Sequence, residues 1–176
     1  MTTPAPAQEE EGGAEAAVRF ACPEDVPRLA ELYGAACEEL AGARGGRLLL
    51  GLGGRPATVE ASFASELSDP LHQVVLAFVG PPEGRVTAGP AGYGTCRAKA
   101  MGGGELVGSI EEIYVKPYAR RLGVGRAIAV SLLEWCRARG CTGVDAKALP
   151  GSRAVKSFFE SEGFTARLLV MHRTLG

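Results

Sequence analysis

The sequence predicts a mixed α/β fold in a single domain, and three observations predict it. Strand-like and helix-like segments follow one another as β, α, α, three β, then α, β, α, β, the order of a sheet covered by helices. The apolar residues change between a period of two and a period of 3.6 as one segment gives way to the next. Hydrophobic residues make up 46% of the 176 and charged ones 22%, enough to bury a core without disulfide or metal staples.

The elements can be justified in chain order. Residues 1–17 (MTTPAPAQEEEGGAEAA) hold four Glu, no Lys or Arg and little to bury. A disordered tail is expected there, with the folded domain over residues 18–176. Val18–Ala21 reads as a short strand. A helix follows from about Glu24, because Val26, Leu29, Ala30, Leu32, Tyr33, Ala36, Cys37 and Leu40 recur at helical spacing. The glycine-rich stretch ARGGRLLLGLGGRP (43–56) reads as a connection. Thr58–Leu67 is expected to be a second helix, ending before Asp69-Pro70. Gln73–Val79, Ala91–Lys99 and Glu105–Val115, separated by PPEGRVTAGP and AMGGG, predict an antiparallel meander. Val124–Arg139 sets Ile128, Leu132, Leu133, Trp135 and Cys136 on a helical period, with Gly140 as its C-terminal cap. Gly143–Ala148 is then expected to be a strand, Ser152–Glu162 a helix stopped by Gly163, and Phe164–Thr174 a closing strand.

Charge and composition exclude several classes of partner. Outside the tail, 19 basic residues meet 16 acidic ones, too small a surplus for a nucleic-acid binder. The apolar runs LLLGLGG (48–54) and VVLAFVG (74–80) are far too short to span a bilayer, so no membrane partner is expected. The N-terminus has neither the basic start nor the apolar centre of a signal peptide. Cys22, Cys37, Cys96, Cys136 and Cys141 form no CxxC pair, and the two His, His72 and His172, lie far apart. No metal site is expected, and a reducing cytoplasmic setting is.

One stretch carries chemistry: EIYVKPYARRLGVGRAI, residues 112–128. A strand passes through two glycines into a helix, and the first amides of a helix have no intrahelical partner. Glycines there let a ligand approach those donors, and the helix dipole favours an anion. Arg120, Arg121 and Arg126 surround the same point, so a diphosphate is the expected guest. A dinucleotide turn would need G-x-G-x-x-G, but Ile128 stands at the third glycine. The P-loop pattern is absent.

Arg120-Arg121-Leu122-Gly123-Val124-Gly125 does resemble the R/Q-x-x-G-x-G/A signature of the GNAT superfamily of acyl-CoA-dependent N-acyltransferases. EEIYVKP before it, LLEWCRARG in the following helix and AVKSFFESEGF further on are similar to that family in order and spacing. The resemblance covers roughly residues 18–175. It implies a mixed sheet flanked by helices, whose central parallel strands, here Ile110–Val115 and Gly143–Ala148, splay apart. The pantetheine arm of acetyl-CoA would lie in that gap on the backbone of Ile113, Tyr114 and Val115. The pyrophosphate would sit on the amides of Leu122, Gly123, Val124, Gly125 and Arg126, with Arg120 and Arg121 balancing its charge. Ser152 stands where relatives often carry an Asn that touches pantetheine.

The implied reaction moves an acetyl group from acetyl-CoA to an amine, which must lose a proton. Related enzymes keep a carboxylate on the strand before the glycine turn as base or ammonium anchor. Glu111 fits that position first and Glu112 second, and strict alternation would send the two to opposite faces. Many relatives place a Tyr before E-x-x-G-F whose hydroxyl protonates the leaving thiolate. Here the pair is Phe158-Phe159, so Phe159 could only pack against the cofactor, leaving Ser157, Ser161 or solvent as proton source. Arg44 and Arg47 are candidates for the acceptor cleft. The implied partner is an amine acceptor, small molecule or protein, and a homodimer is one candidate assembly. The missing hydroxyl keeps a second reading open, a non-catalytic acyl-CoA-binding or sensing module.

Overall fold

The computed structural model describes residues 15–43, 45–55, 58–80, 89–149, 152–168 and 173. Among these residues five strands form one sheet in sequence order: β1 (Glu15–Phe20), β2 (His72–Gly80), β3 (Gly92–Ala100), β4 (Leu106–Val115) and β5 (Gly143–Ala146). The first four pair antiparallel, as the meander predicts, and β5 lies parallel to β4. Helices α1 (Val26–Gly42), α2 (Gly46–Gly53) and α3 (Val59–Ser68) fall between β1 and β2, α4 (Val124–Ala138) between β4 and β5, and α5 (Arg153–Ser161) after β5.

The period-two pattern sorts side chains onto two faces. Val75, Ala77, Cys96, Ala98 and Ile110 pack with Ile128, Leu132 and Trp135 of α4. Val74, Leu76, Phe78 and Tyr93 pack with Leu29 and Leu32 of α1 and Phe63 of α3. The sheet is thus covered on both sides, with α4 lying close: a methyl at Gly94 of β3 would sit 2.4 Å from Ile128 Cγ2.

Four expectations need correction. The first strand begins at Glu15 rather than Val18, because Glu15, Ala16 and Ala17 pair with Gly80, Val79 and Phe78. The glycine-rich connection contains a helix, α2. Its glycines mark the ends: Gly45 caps it at φ 81°, and a side chain on Gly46 would overlap the Leu40 carbonyl that ends α1. The β5 strand stops at Ala146 rather than Ala148. Finally, residues 164–168 of the expected closing strand form no strand. They are tied to β5 by a side chain instead, Arg167 donating to Asp145 at 2.8 Å, while Phe164 packs on Phe159. The remainder of that strand except residue 173, His172 included, lies outside the described residues, as do residues 1–14 and Arg44.

Candidate active site

The site grows from the end of β4. Its pairing with β5 runs only from Val107 to Ile110, opposite Gly143 to Ala146, whereas β4 continues to Val115. Beyond Ile110 the edge that faces β5 has no strand partner among the described residues, so an extended ligand could add its own amides there. Ile113 and Val115 turn their side chains toward the α4 core and Tyr114 turns toward α1, which leaves their backbone as the part on offer.

Across from this edge stands the glycine turn. Arg121 adopts φ 65° and Gly123 φ 80°, two left-handed residues that swing the chain sharply into α4. The Ala127 amide donates to the Gly123 carbonyl at 2.9 Å and closes the first turn. The amides of Val124, Gly125 and Arg126 therefore precede any intrahelical bond and are available to an anion. A methyl on Gly125 would touch Phe158 at 3.5 Å and Val115 at 3.8 Å, so the turn abuts the end of β4. Leu122, Arg121 and Arg126 are exposed around it, with Arg126 only loosely held by Glu162 at 3.8 Å. The Val124 side chain belongs to the core and contributes only backbone.

Arg120 is differently placed from its expected role. Its Nε donates to the Val115 carbonyl at 2.9 Å and its guanidinium to Glu39 of α1 at 2.5 Å, so its charge is already met by a carboxylate. Phe159 packs into the core with Phe164, whereas Phe158 is the ring over Gly125. Ser152 opens α5 without a side-chain cap, its carbonyl accepting from the Lys156 amide at 3.0 Å. Ser161 is engaged with the Phe158 carbonyl at 2.7 Å, and Arg47 is exposed on α2.

The two glutamates part company at a β-bulge. Thr95 pairs with Glu112 while the next residue, Cys96, pairs with Ile110, so Glu111 is the extra residue. The bulge resets alternation, letting Ile110 and Ile113 share the α4 face. Glu111 is exposed and reaches Lys99 at 3.3 Å. Glu112 points to the α1 and α3 side, with its side chain one-fifth exposed. It accepts from Arg55 at 2.8 Å and from the Tyr93 hydroxyl at 3.0 Å. Burial pushes its carboxyl above the ordinary glutamate range, and Arg55 and Tyr93 hold back part of that rise. Sequence reasoning missed both partners. Tyr93 was within reach of it, since the meander sets Tyr93 opposite Tyr114, diagonal to Glu112. Arg55 lies 57 residues away in the glycine-rich stretch and gave no signal.

An open strand edge beside a helix N-terminus, next to a partly buried carboxylate, suits a ligand with amides and phosphates and a reaction that needs a base. Comparison with known proteins agrees. The profile of the Acetyltransferase (GNAT) family matches residues 55–164. The chain belongs to the GNAT acetyltransferase family. Members of the GNAT family use acetyl-CoA as acyl donor. Glucosamine 6-phosphate N-acetyltransferase of Trypanosoma brucei brucei is 36% identical over 93 residues, 53% of this chain. That match spans 60% of the relative's own length. Among solved structures, an acetyltransferase of Trypanosoma brucei has a TM-score of 0.63 at 24% identity, covering 92% of this chain and all of its own. Glucosamine-6-phosphate N-acetyltransferase of Arabidopsis thaliana scores 0.64 at 18%, covering 92% and 99%. AAC(6')-Iy, solved with the bisubstrate analogue CoA-S-monomethyl-acetylneamine, scores 0.66 at 15%, covering 93% and 100%. These structural likenesses establish the GNAT fold. Among the described residues of this GNAT protein, no helix is long and apolar enough to cross a membrane, and no three His, Cys, Asp or Glu cluster as metal ligands.

Proposed function

We propose that this GNAT protein transfers the acetyl group of acetyl-CoA to a primary amine, with Glu112 as the base. The observation that carries the reading is Glu112's place: a partly buried carboxylate just past the bulge, on the stretch of β4 whose edge is open. The chain's residues fit the donor. The β4 backbone from Ile113 to Val115 would take the pantetheine amides. The amides of Leu122 to Arg126, with Arg121 and Arg126, would hold the diphosphate. Acetyl-CoA supplies the activated carbonyl when bound. Glu112, its proton affinity raised by burial, takes the proton from the amine directly or through water. Much of the rate comes from holding both reactants in one cleft, on the order of 7–11 kcal/mol in favourable cases. With Phe158-Phe159 in place of a tyrosine, the departing thiolate takes its proton from solvent. The five free thiols suit a reducing cytoplasmic setting.

The acceptor is proposed as an amine of a small molecule, and a phosphorylated amino sugar is the first to try because the curated relative is named for one. Thiol release from acetyl-CoA would be followed with glucosamine 6-phosphate, a polyamine, an aminoglycoside and a lysine peptide. Glu112→Gln is expected to lower kcat/KM by roughly 10²–10⁴-fold, and Glu111→Gln by no more than a few-fold. The reverse order would transfer the role to Glu111. Tight acetyl-CoA binding with no turnover on any amine would favour the non-catalytic module instead.

A further inference from the structure

Behind Glu112 lies a charge cluster that the reaction as described does not use. Arg55, between α2 and α3, has a side chain only 4% exposed, with its guanidinium 3.6 Å from the centre of the Phe63 ring. One nitrogen donates to Glu112 at 2.8 Å, and another donates to Glu66 of α3 at 2.5 Å and to Ser62 at 3.0 Å. One cation thus serves two carboxylates. The cluster therefore carries one excess negative charge, and excess charge away from water is costly. The cluster is also incompletely bonded: Arg55 Nε, one Glu66 carboxylate oxygen and the Thr95 hydroxyl are buried and have no partner among the described residues. Satisfaction is the rule for buried polar groups, so this exception calls for a role.

We propose that Arg55 and Glu66 are positioning residues that set the charge state of Glu112, Arg55 holding it ionised and aimed while Glu66 competes for Arg55. The proposal rests on Glu112 being the base. Tyr93 donates to Glu112 from β3. Tyr33 and Cys37 lie behind on α1, with the Tyr33 hydroxyl accepting from the Arg55 amide at 3.3 Å. Glu66 comes from α3, and along β4 its neighbour Glu111 is drawn off by Lys99. Among the described residues, only Arg55 is cationic and in contact. Removing it leaves burial opposed only by the Tyr93 hydrogen bond, so Glu112 should hold its proton to higher pH. Removing the charge of Glu66 removes a repulsion and frees Arg55, so Glu112 should ionise at lower pH. A merely structural cluster would shift the Glu112 midpoint in these directions but leave the acid limb of kcat/KM where it is.

The test is a titration of the full-length protein by ¹³C NMR of carboxyl-labelled glutamate, alongside the pH profile of kcat/KM. Arg55→Met should raise the midpoint of Glu112 and the acid limb of the profile by roughly one pH unit or more, and Glu66→Gln should lower both. Arg55→Lys, which keeps the charge but not the fork, should fall between wild type and Arg55→Met. Midpoints unmoved, or moved in the same direction by Arg55→Met and Glu66→Gln, would overturn the proposal. Should Arg55→Met not fold, Glu66→Gln and Arg55→Lys carry the same opposite-sign test. Failure of the underlying reading looks different: Glu112→Gln would then retain activity whatever the NMR midpoints do.

Discussion

At the scale of single residues, environment separates groups that composition cannot. Glu111 and Glu112 are adjacent and identical, yet one is an exposed partner of Lys99 and the other a half-buried acceptor from Arg55 and Tyr93. The sequence shows both carboxylates but not the choice, because the bulge that separates them exists only once β3 pairs with β4. Asp25 shows the opposite shift. It is buried, accepts from Arg19 at 2.6 and 2.8 Å and from the Cys22 amide at 3.0 Å, and its carboxyl is held far below the usual range, first by Arg19. A carboxyl depressed in the folded state stabilises above its unfolded value of about 4 and loses that contribution as pH falls. Asp25→Asn is therefore expected to lower the Tm at pH 7, by an amount equivalent to roughly 1–3 kcal/mol. The gap from wild type should narrow as the melts are repeated below about pH 4. A gap independent of pH would mean that the loss is one of packing.

Whole elements were more legible than their ends. The long amphipathic α4 and the meander could be read from periodicity, which survives any tertiary context. The α2 helix could not, because glycine weakens a helix when read locally and only the packing shows that Gly45 and Gly46 fit its start against α1. The closing strand misled for the converse reason: alternation predicts a strand but not a partner, and β5 offers only four residues. Two glycines test how α4 is seated. Gly94→Ala would drive a methyl to 2.4 Å from Ile128 Cγ2 and 3.1 Å from Leu132 Cδ1, an overpacking cost of roughly 1–3 kcal/mol. Gly123→Ala meets no atom within 4 Å, but its φ of 80° would cost an alanine about 1–2 kcal/mol. Melting curves and acetyl-CoA titrations should separate them. Both variants should melt lower, and only Gly123→Ala should also bind acetyl-CoA more weakly, because it re-aims the turn amides.

Across the whole molecule, one arrangement gives the fold its use. Layers of helix on both faces hold β4 between β3 and β5. The bulge turns Glu112 toward α1 and α3, and β5 ends early enough to leave the last residues of β4 open beside the N-terminus of α4. The glycine turn was readable at the outset because the motif is local, whereas the engagement of Arg120 with Glu39 of α1 was not. The Arg55 cluster was not, because it joins α3, β3 and β4 across long stretches of chain. Amide hydrogen–deuterium exchange with and without acetyl-CoA tests the central claim most directly. Docking at the turn predicts slowed exchange at Leu122 to Arg126 and along Ile113 to Val115, with β1 and β2 unchanged. Exchange unaltered at both segments at saturating acetyl-CoA, or slowed only elsewhere, would contradict it.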